Sequence, residues 1–209
     1  LSSSSAASDV YKRQTHYFTT PEGPTRTRTI TVNVWDDSMT MTTAGGVFSG
    51  TRLDPGTAVL MRSVTPPPSN GTFLDLGCGY GPIACALARA CSGSHIVAVD
   101  VNDLAIDLTT RNAKALRVGD RVHACRPEEV DPDLRFDEIW SNPPIRVGKA
   151  ALHEILTTWL ARLSDEGVAH LVVGKNLGAD SLTSWLCEQG FDAARVASAK
   201  GFRIIDVHA

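Results

Sequence analysis

Two stretches of the sequence combine residue types and spacings that suit chemistry, and the first is a glycine-rich turn. Residues 75–82 read Asp-Leu-Gly-Cys-Gly-Tyr-Gly-Pro, between a strand-like run and a helix that Pro82 begins. Glycines permit a tight turn and close approach of the backbone to a ligand, and a helix N-terminus offers free N–H groups. The third glycine stands one residue earlier than in Gly-x-Gly-x-x-Gly, the fingerprint of dinucleotide sites, so the spacing counts against NAD.

An acidic residue, Asp100, closes the next strand-like run, nineteen positions after Gly81. A carboxylate at this position can accept hydrogen bonds from both hydroxyls of a ribose. The glycine turn and Asp100 together predict a site for a nucleoside that carries a small charged tail.

The second stretch is a proline-stiffened loop, Trp-Ser-Asn-Pro-Pro-Ile-Arg at residues 140–146, which follows another strand-like run. Open α/β sheets bind their ligands in the crevice outside the carboxyl ends of the strands. An exocyclic amine of a nucleobase is a poor nucleophile because its lone pair is delocalised into the ring, so a catalyst must accept its hydrogens. The side-chain oxygen of Asn142 and the carbonyl of Pro143 can do this, and Pro144 further stiffens the loop.

The elements that must position these residues alternate along the chain after the triple proline at 66–68. The predicted strands are residues 72–76, 95–100, 121–125, 136–140 and 168–173, and the predicted helices are residues 82–91, 104–116, 150–163 and 179–189. This alternation predicts a doubly wound α/β fold with a mostly parallel sheet. Two further strand-like runs, 191–197 and 202–207, have no helix between them and predict a terminal antiparallel hairpin.

The N-terminal part has a different pattern. Residues 1–14 are rich in Ser and Ala without a hydrophobic period, and we predict a non-native or disordered leader there. Residues 27–43 alternate with period two around Asp36, Asp37 and Ser38, which predicts a β-hairpin with an acidic turn, and residues 55–64 predict a short helix. The expected division is therefore a leader (1–14), an extension (15–65) and a core (66–209).

Composition excludes several classes of protein. The 209 residues are 43% hydrophobic and 21% charged, as in ordinary globular domains, and no apolar run approaches the length of a membrane span. A net charge of -3 excludes binding of nucleic acid by overall charge, although it leaves room for a local basic patch. Five cysteines and six histidines form no set with metal-ligand spacing, so we expect reduced thiols, a cytoplasmic protein and no metal.

The glycine turn and the Val-Asp-Val-Asn sequence at residues 99–102 resemble motifs I and II of the S-adenosylmethionine-dependent methyltransferases with a Rossmann-like fold. The resemblance implies a seven-stranded sheet of order 3-2-1-4-5-7-6 with strand seven antiparallel, and S-adenosyl-L-methionine as cofactor. It places the methionine end at Asp75, Gly77, Cys78, Gly79, Tyr80 and Gly81. It places the ribose at Asp100 and the adenine between Val101, Asn102, Arg126 and Pro127.

The Asn-Pro-Pro loop resembles motif IV of amino-methyltransferases, in which an aromatic residue usually follows the second proline. Ile145 stands in that position, so this loop does not supply the expected stacking face for a base. We consider His16, Tyr17 or Phe18 the first candidates for that face, and Phe202 the next.

Three stretches indicate which group of these methyltransferases the sequence resembles: residues 141–149, residues 46–49 with 53–57, and residues 16–18. Together they are similar to the small-domain ribosomal RNA guanine-N2 methyltransferases. That family implies methyl transfer to N2 of an unpaired or flipped guanine, in 16S ribosomal RNA or the small-subunit particle. It also implies that Phe48 closes over the methionine end and that Asn142, Pro143, Pro144 and Ile145 form the catalytic loop, where Asn142 also borders the cofactor.

Cations also follow the ends of the predicted strands. Arg146, Lys149 and Lys175, with Lys200 and Arg203 in the terminal hairpin, are candidates for contacts to RNA phosphates. Two other functions stay open: methylation of a glutamine amide in a translation factor, and a non-catalytic module that binds S-adenosylmethionine.

Overall fold

The computed structural model of the chain describes residues 26–47, 49, 51–67 and 70–209. The predicted leader, the aromatic candidates at 16–18 and Phe48 lie outside these residues, so the predictions made for them stay predictions.

Strands and helices alternate in the described residues as the sequence predicts. The strands are β1 (Thr27–Val34), β2 (Asp37–Ala44), β3 (Thr72–Leu76), β4 (His95–Val99), β5 (Val122–Cys125), β6 (Phe136–Ser141), β7 (Leu163–Gly174), β8 (Asp192–Ala199) and β9 (Phe202–His208). The helices are α1 (Pro55–Ser63), α2 (Pro82–Ala90), α3 (Asp103–Ala115), α4 (Lys149–Leu160) and α5 (Ala179–Glu188). Most boundaries lie within one or two residues of the predicted ones.

Seven strands form one sheet in the order β5-β4-β3-β6-β7-β9-β8, while β1 and β2 pair separately. Strands β3 to β7 run parallel, and β9 is antiparallel to both β7 and β8. Numbered from β3, this is the predicted order 3-2-1-4-5-7-6 with strand seven reversed. The predicted Rossmann-like α/β fold and its N-terminal hairpin are therefore confirmed.

The turn of the N-terminal hairpin differs from the prediction. Val34 pairs with Asp37, so the loop consists of Trp35 and Asp36, and Asp37 and Ser38 already belong to β2. The side chain of Trp35 explains this position, because its Nε1 donates to the carbonyl of Val64 and its ring packs edge-on against Trp140. Anchoring of this ring in the core fixes the turn one residue earlier than the acidic cluster suggested.

A second boundary is also corrected. The predicted helix 150–163 ends at Leu160, and Leu163 is the first residue of β7, where it pairs with Phe136. Leu163 fits the helical spacing of apolar residues, and an apolar residue is equally suited to a buried strand. The spacing alone therefore does not distinguish the end of the helix from the start of the strand.

Helices cover both faces of the sheet, and the hairpin belongs to one of these layers. Along β3, Phe73 and Leu74 enter different hydrophobic clusters. One cluster joins the sheet to α1, α2, α3 and the hairpin, whose Met39 and Met41 are fully buried, and the other joins it to α4 and α5. The hairpin thus shares a core with the sheet, while the proposed domain boundary at residue 66 stays a prediction.

Candidate active site

The predicted site residues converge at the carboxyl ends of the central strands. Strand β3 lies between β4 and β6, so the loops after these three strands meet at one edge of the sheet. A narrow cleft there is lined by Ser49, Asp54, Thr57, Asp75, Gly77, Cys78, Tyr80, Pro82, Ile83 and Asn142. The two stretches that the sequence singled out therefore face a common space.

The three glycines of the turn have two different roles. All three have positive φ, which L side chains rarely adopt. A Cβ on Gly77 or Gly79 would meet nothing within 4 Å, whereas a Cβ on Gly81 would come within 2.8 Å of Thr109 in α3. Gly77 and Gly79 therefore leave open space beside the backbone, and Gly81 allows α2 and α3 to pack closely.

Two desolvated carboxyl groups stand at this turn. Asp75 is buried and accepts the N–H of Ala84 at 2.9 Å. Its burial raises its pKa to about 7, the hydrogen bond from Ala84 acts against the rise, and the charge of Asp100 adds to it. Asp100 accepts N–H groups from Gly79 and Asn102, each at 3.0 Å, and burial also raises its pKa. Two such groups favour a ligand that carries positive charge.

Oδ2 of Asp100 accepts the N–H of Gly79, Oδ1 accepts the N–H of Asn102, and the backbone N–H of Val101 also stabilises the carboxylate. A carboxylate has about four acceptor positions, so Asp100 retains capacity for a further donor such as a ribose hydroxyl. Beside it, Val101 exposes 47% of its surface, an apolar face at the mouth of the site.

The other predicted adenine neighbours are held by local contacts. The side chain of Asn102 caps α3 by accepting the N–H of Leu104 and donates to the carbonyl of Gly46. The guanidinium of Arg126 pairs with Asp103 at 2.6 Å and so joins the loop after β5, with Pro127, to the start of α3. Val101 is therefore the residue with a free face, and the others shape the surrounding wall.

Cys78 and Tyr80 differ in what their side chains do. The Cys78 thiol is buried, 3.5 Å from the hydroxyl of Thr109, and burial together with the two nearby carboxylates raises its pKa, so it behaves as a small apolar group. The hydroxyl of Tyr80 is buried on the cleft wall and has no hydrogen-bond partner within the described parts of the chain. A buried donor without a partner is costly, so this hydroxyl is suited to an acceptor on a ligand.

The side chain of Asn142 is fixed by a contact that the sequence reasoning did not identify. Its Nδ2 donates to Oδ2 of Asp54 at 2.8 Å and to Oγ1 of Thr57 at 3.1 Å. A carboxylate can only accept, so it must face the amide nitrogen rather than the amide oxygen. Both N–H groups of Asn142 are thus directed at α1, and its Oδ1 accepts no hydrogen bond from the described residues.

Asp54 owes its own position to α1. It is the N-cap residue, and the same Oδ2 accepts the N–H groups of Gly56 and Thr57 at 2.7 and 3.1 Å. The sequence signal was present, since Asp before Pro-Gly-Thr is a typical helix start. What the sequence did not reveal is that the N-terminus of α1 packs against the loop after β6.

The rest of the catalytic loop is short and stiff. The carbonyl of Pro143 accepts the N–H of Ile145 at 2.8 Å, which leaves it one further lone pair. Ile145 is half-buried and packs against the core, as does Val147 in the same single turn, whereas Pro144 precedes that turn. Position 145 thus holds an aliphatic side chain that packs against the core.

Three of the five predicted RNA-binding cations follow strands that end at the same edge. Arg146 and Lys149 follow the catalytic loop, and Lys175 follows β7; all three are exposed and form no ion pair with the described residues. Within those residues no group of three or more His, Cys, Asp or Glu side chains could hold a metal ion, and no helix is long and apolar enough to cross a membrane.

The family model named Methyltransferase small domain matches residues 38–206. The chain belongs to this family. This methyltransferase is 32% identical over 194 residues to the uncharacterized protein YbxB of Bacillus subtilis (strain 168), with 91% of this chain and 96% of the relative covered.

Other relatives are longer. The methyltransferase is 33% identical over 132 residues to ribosomal RNA small subunit methyltransferase C of Aeromonas hydrophila, with 62% of this chain and 37% of the relative covered. The chain thus spans well under half of that relative. Among solved structures, the 16S rRNA N2 methyltransferase of T. thermophilus, in complex with AdoMet and guanosine, aligns with a TM-score of 0.75 at 24% identity, covering 90% of this chain and 52% of that one. This last likeness establishes the fold.

S-adenosyl-L-methionine is the methyl donor of this family, which confirms the cofactor that the sequence predicted. The residues of the cleft fit it. Asp75 and Asp100 supply negative charge for a ligand with a sulfonium and an ammonium group, the space beside Gly77 and Gly79 is open, and the unpartnered hydroxyl of Tyr80 can donate to a carboxylate.

Proposed function

We propose that this methyltransferase transfers the methyl group of S-adenosyl-L-methionine to the exocyclic N2 of a guanine in ribosomal RNA of the small subunit. The observation that carries the reaction type is the fixed amide of Asn142, whose two N–H groups are directed at Asp54 and Thr57. The names of the curated relatives and of the structural neighbour support the choice of acceptor.

Asn142 acts on the acceptor amine as a hydrogen-bond acceptor. With its nitrogen held by α1, its Oδ1 is available for one N–H of the amine, and the free lone pair of the Pro143 carbonyl is available for the other. Accepting both hydrogens turns the nitrogen lone pair out of conjugation with the ring and toward the methyl group, which the cofactor supplies in activated form. Neither oxygen is a strong base, so the proton released after transfer passes to water.

The stiffness of the loop contributes to this step. Pro143 and Pro144 restrict the backbone, and Ile145 and Val147 anchor the following turn in the core. Catalysis of this kind depends on positioning, because the acceptor must be held in line with the methyl carbon. The site residues assigned here need neither a covalent intermediate nor a metal.

A nucleic acid acceptor places a condition on the substrate. The amino edge of guanine is engaged in a duplex, so the base must be unpaired or flipped into the site, as enzymes that act on bases require. The exposed cations Arg146, Lys149 and Lys175 follow β6 and β7 at the edge of the sheet where these strands end, and they are suited to phosphate contacts that position the RNA strand.

Methyl transfer with a tritiated donor tests this proposal. Wild-type protein is incubated with ribosomal RNA, small-subunit particles and ribosomal protein fractions, and Asn142→Ala and Asn33→Ala are run in parallel, since Asn33 is an exposed asparagine of β1. We expect label in RNA, loss of turnover in Asn142→Ala with donor binding retained, and no effect of Asn33→Ala. Label on glutamine in a protein fraction would favour the translation-factor alternative, and no label in any fraction despite donor binding would favour a non-catalytic module.

A further inference from the structure

An open groove of about 530 Å³ lies next to the catalytic loop, along the terminal hairpin. Its lining comes from Lys175 after β7 and from residues 195–203, which include the end of β8, the hairpin turn and the start of β9. The N–H of Lys175 donates to the carbonyl of Gly201 at 2.8 Å, so the two sides of the groove are tied together.

The charge of this groove is opposite to that of the whole chain. The chain carries a net charge of -3, whereas the ten lining residues include four cations and no acid. Arg203 pairs with Asp180, but Lys175, Arg195 and Lys200 are exposed and form no ion pair in the described part of the chain. A concave surface that is lined by several cations and by no acidic residue attracts a polyanion.

An aromatic ring links this groove to the catalytic amide. Phe202 lines the groove and is half-buried. Its Cε1 lies 3.0 Å from the position that a Cβ on Gly56 would occupy, and Nδ2 of Asn142 lies 3.3 Å from the same position. The topology explains this proximity, because β9 is antiparallel to β7 and therefore starts at the edge where the parallel strands end.

We propose that this groove binds the single-stranded segment of RNA that carries the target guanine, with Phe202 as the stacking face for the base presented to Asn142. This rests on the proposed function in one respect, that the acceptor is an RNA base. In this arrangement the ring of Phe202 supplies the stacking face that Ile145 does not provide.

The composition of the groove favours RNA over an acidic peptide. Sequence-tolerant binding of single strands combines a basic track for the phosphates with aromatic rings on which bases stack, and the groove has both. Its wall at 196–199 has small or apolar side chains, with Val196 53% exposed, so a sugar and a base can approach closely. A peptide of acidic residues would satisfy the cations but would offer nothing to the ring of Phe202.

Binding of a fluorescent single-stranded RNA of about twelve nucleotides, titrated at several salt concentrations, tests the groove. Arg195→Gln with Lys200→Gln should lower the salt slope by about 0.7 per charge removed, the value for single strands. Lys114→Gln is the matched control, since Lys114 is an exposed cation in the last turn of α3 that no ion pair engages within the described residues. Phe202→Leu, which keeps an apolar side chain without a π-face, should weaken binding about tenfold or more.

Calorimetric titration with S-adenosyl-L-methionine shows whether each variant is folded, because the donor cleft does not include these side chains. An unchanged salt slope in the double variant, or equal affinity of Phe202→Leu, would overturn the proposal. So would a polyglutamate of the same length that binds wild type as tightly as the RNA does. If the wild type methylates RNA while these variants bind and methylate it normally, the assignment of the groove as the RNA site is wrong and the proposed function is supported. If the variants lose RNA binding while the wild type methylates no RNA, the groove binds RNA and the proposed function is wrong.

Discussion

Asp54 holds the catalytic amide through one carboxylate oxygen, and its replacement by serine separates this role from its role in the fold. Oδ2 of Asp54 accepts N–H groups of Gly56 and Thr57 as the N-cap of α1, and it also accepts Nδ2 of Asn142. Serine is a good N-cap residue, so Asp54→Ser keeps the cap. Its shorter, uncharged side chain loses the contact to Asn142.

The size of the effect follows from the type of bond removed. A hydrogen bond to a charged group contributes about 1.5–3 kcal/mol, which corresponds to a fall in kcat of about 10- to 150-fold if the orientation matters fully in the transition state. Thr57 still holds the second N–H of Asn142, so the lower part of this range is expected. Thr57→Val alone removes a neutral acceptor and should lower kcat about 2- to 10-fold.

Two measurements distinguish the catalytic role of Asp54 from its role in the fold. Single-turnover kinetics with saturating donor give the rate of methyl transfer, and calorimetry gives the affinity for the donor. Asp54→Ser should lower the rate of methyl transfer, leave donor affinity within about twofold and keep the stability of the fold. Asp54→Ala should show the same kinetic loss with a further cost of about 1 kcal/mol in the free energy of unfolding, because the cap is gone.

Full activity of Asp54→Ser in a folded protein would refute the reasoning, because the orientation of Asn142 would then not depend on α1. A loss of donor binding that equals the loss of rate would also refute it, since a direct effect of Asp54 on the cofactor, whose cleft it lines, would then explain the slower reaction without any change at Asn142.

Three further predictions concern the cofactor cleft. Asp100→Ala should raise the Kd for S-adenosyl-L-methionine at least tenfold in a folded protein, because charge-assisted hydrogen bonds to ribose hydroxyls are lost; an unchanged calorimetric Kd would remove Asp100 from the site. Tyr80→Phe should weaken donor binding about fivefold or more yet slightly stabilise the ligand-free protein, because its hydroxyl has no partner in the described residues. Lower thermal stability of that variant would contradict this. Asp75 has a pKa raised to about 7, above its unfolded value of 3.8, so its cost to stability is absent at low pH and complete above pH 7. Asp75→Asn should therefore gain stability relative to wild type by about 2–3 kcal/mol between pH 5 and pH 8 in urea titrations, and a pH-independent difference would show that the carboxyl is not desolvated.

Much of the fold could be predicted from the sequence, because its signals are local. Alternating strand-like and helical runs, with glycine and proline between them, set the element order, and the motif resemblance set the strand order. The two boundary errors arose where a tertiary contact decides the outcome. Trp35 fixes the hairpin turn through its contact with Trp140, and Leu163 is drawn into β7 by pairing with Phe136.

The candidate site likewise has one part that the sequence predicts and another that depends on tertiary packing. The glycine turn, Asp100 and Asn142 each follow a strand directly, so their convergence follows from the topology of a parallel sheet. Asp54 and Phe202 lie far from them in sequence, and their proximity to Asn142 depends on the packing of α1 and on the reversed direction of β9. No local pattern encodes those contacts, so the sequence indicates Phe202 only as a second choice for the stacking face and assigns Asp54 no role in the site.

Mass-spectrometric mapping of modified guanines in ribosomal RNA tests the central claim most directly. RNA from cells that lack this methyltransferase is compared with the same RNA after incubation with wild type or with Asn142→Ala. We predict that wild type adds one methyl group at N2 of a specific guanine in the small-subunit RNA, and that Asn142→Ala adds none. A methyl group on another atom, on no nucleotide at all, or added equally by Asn142→Ala would contradict the account.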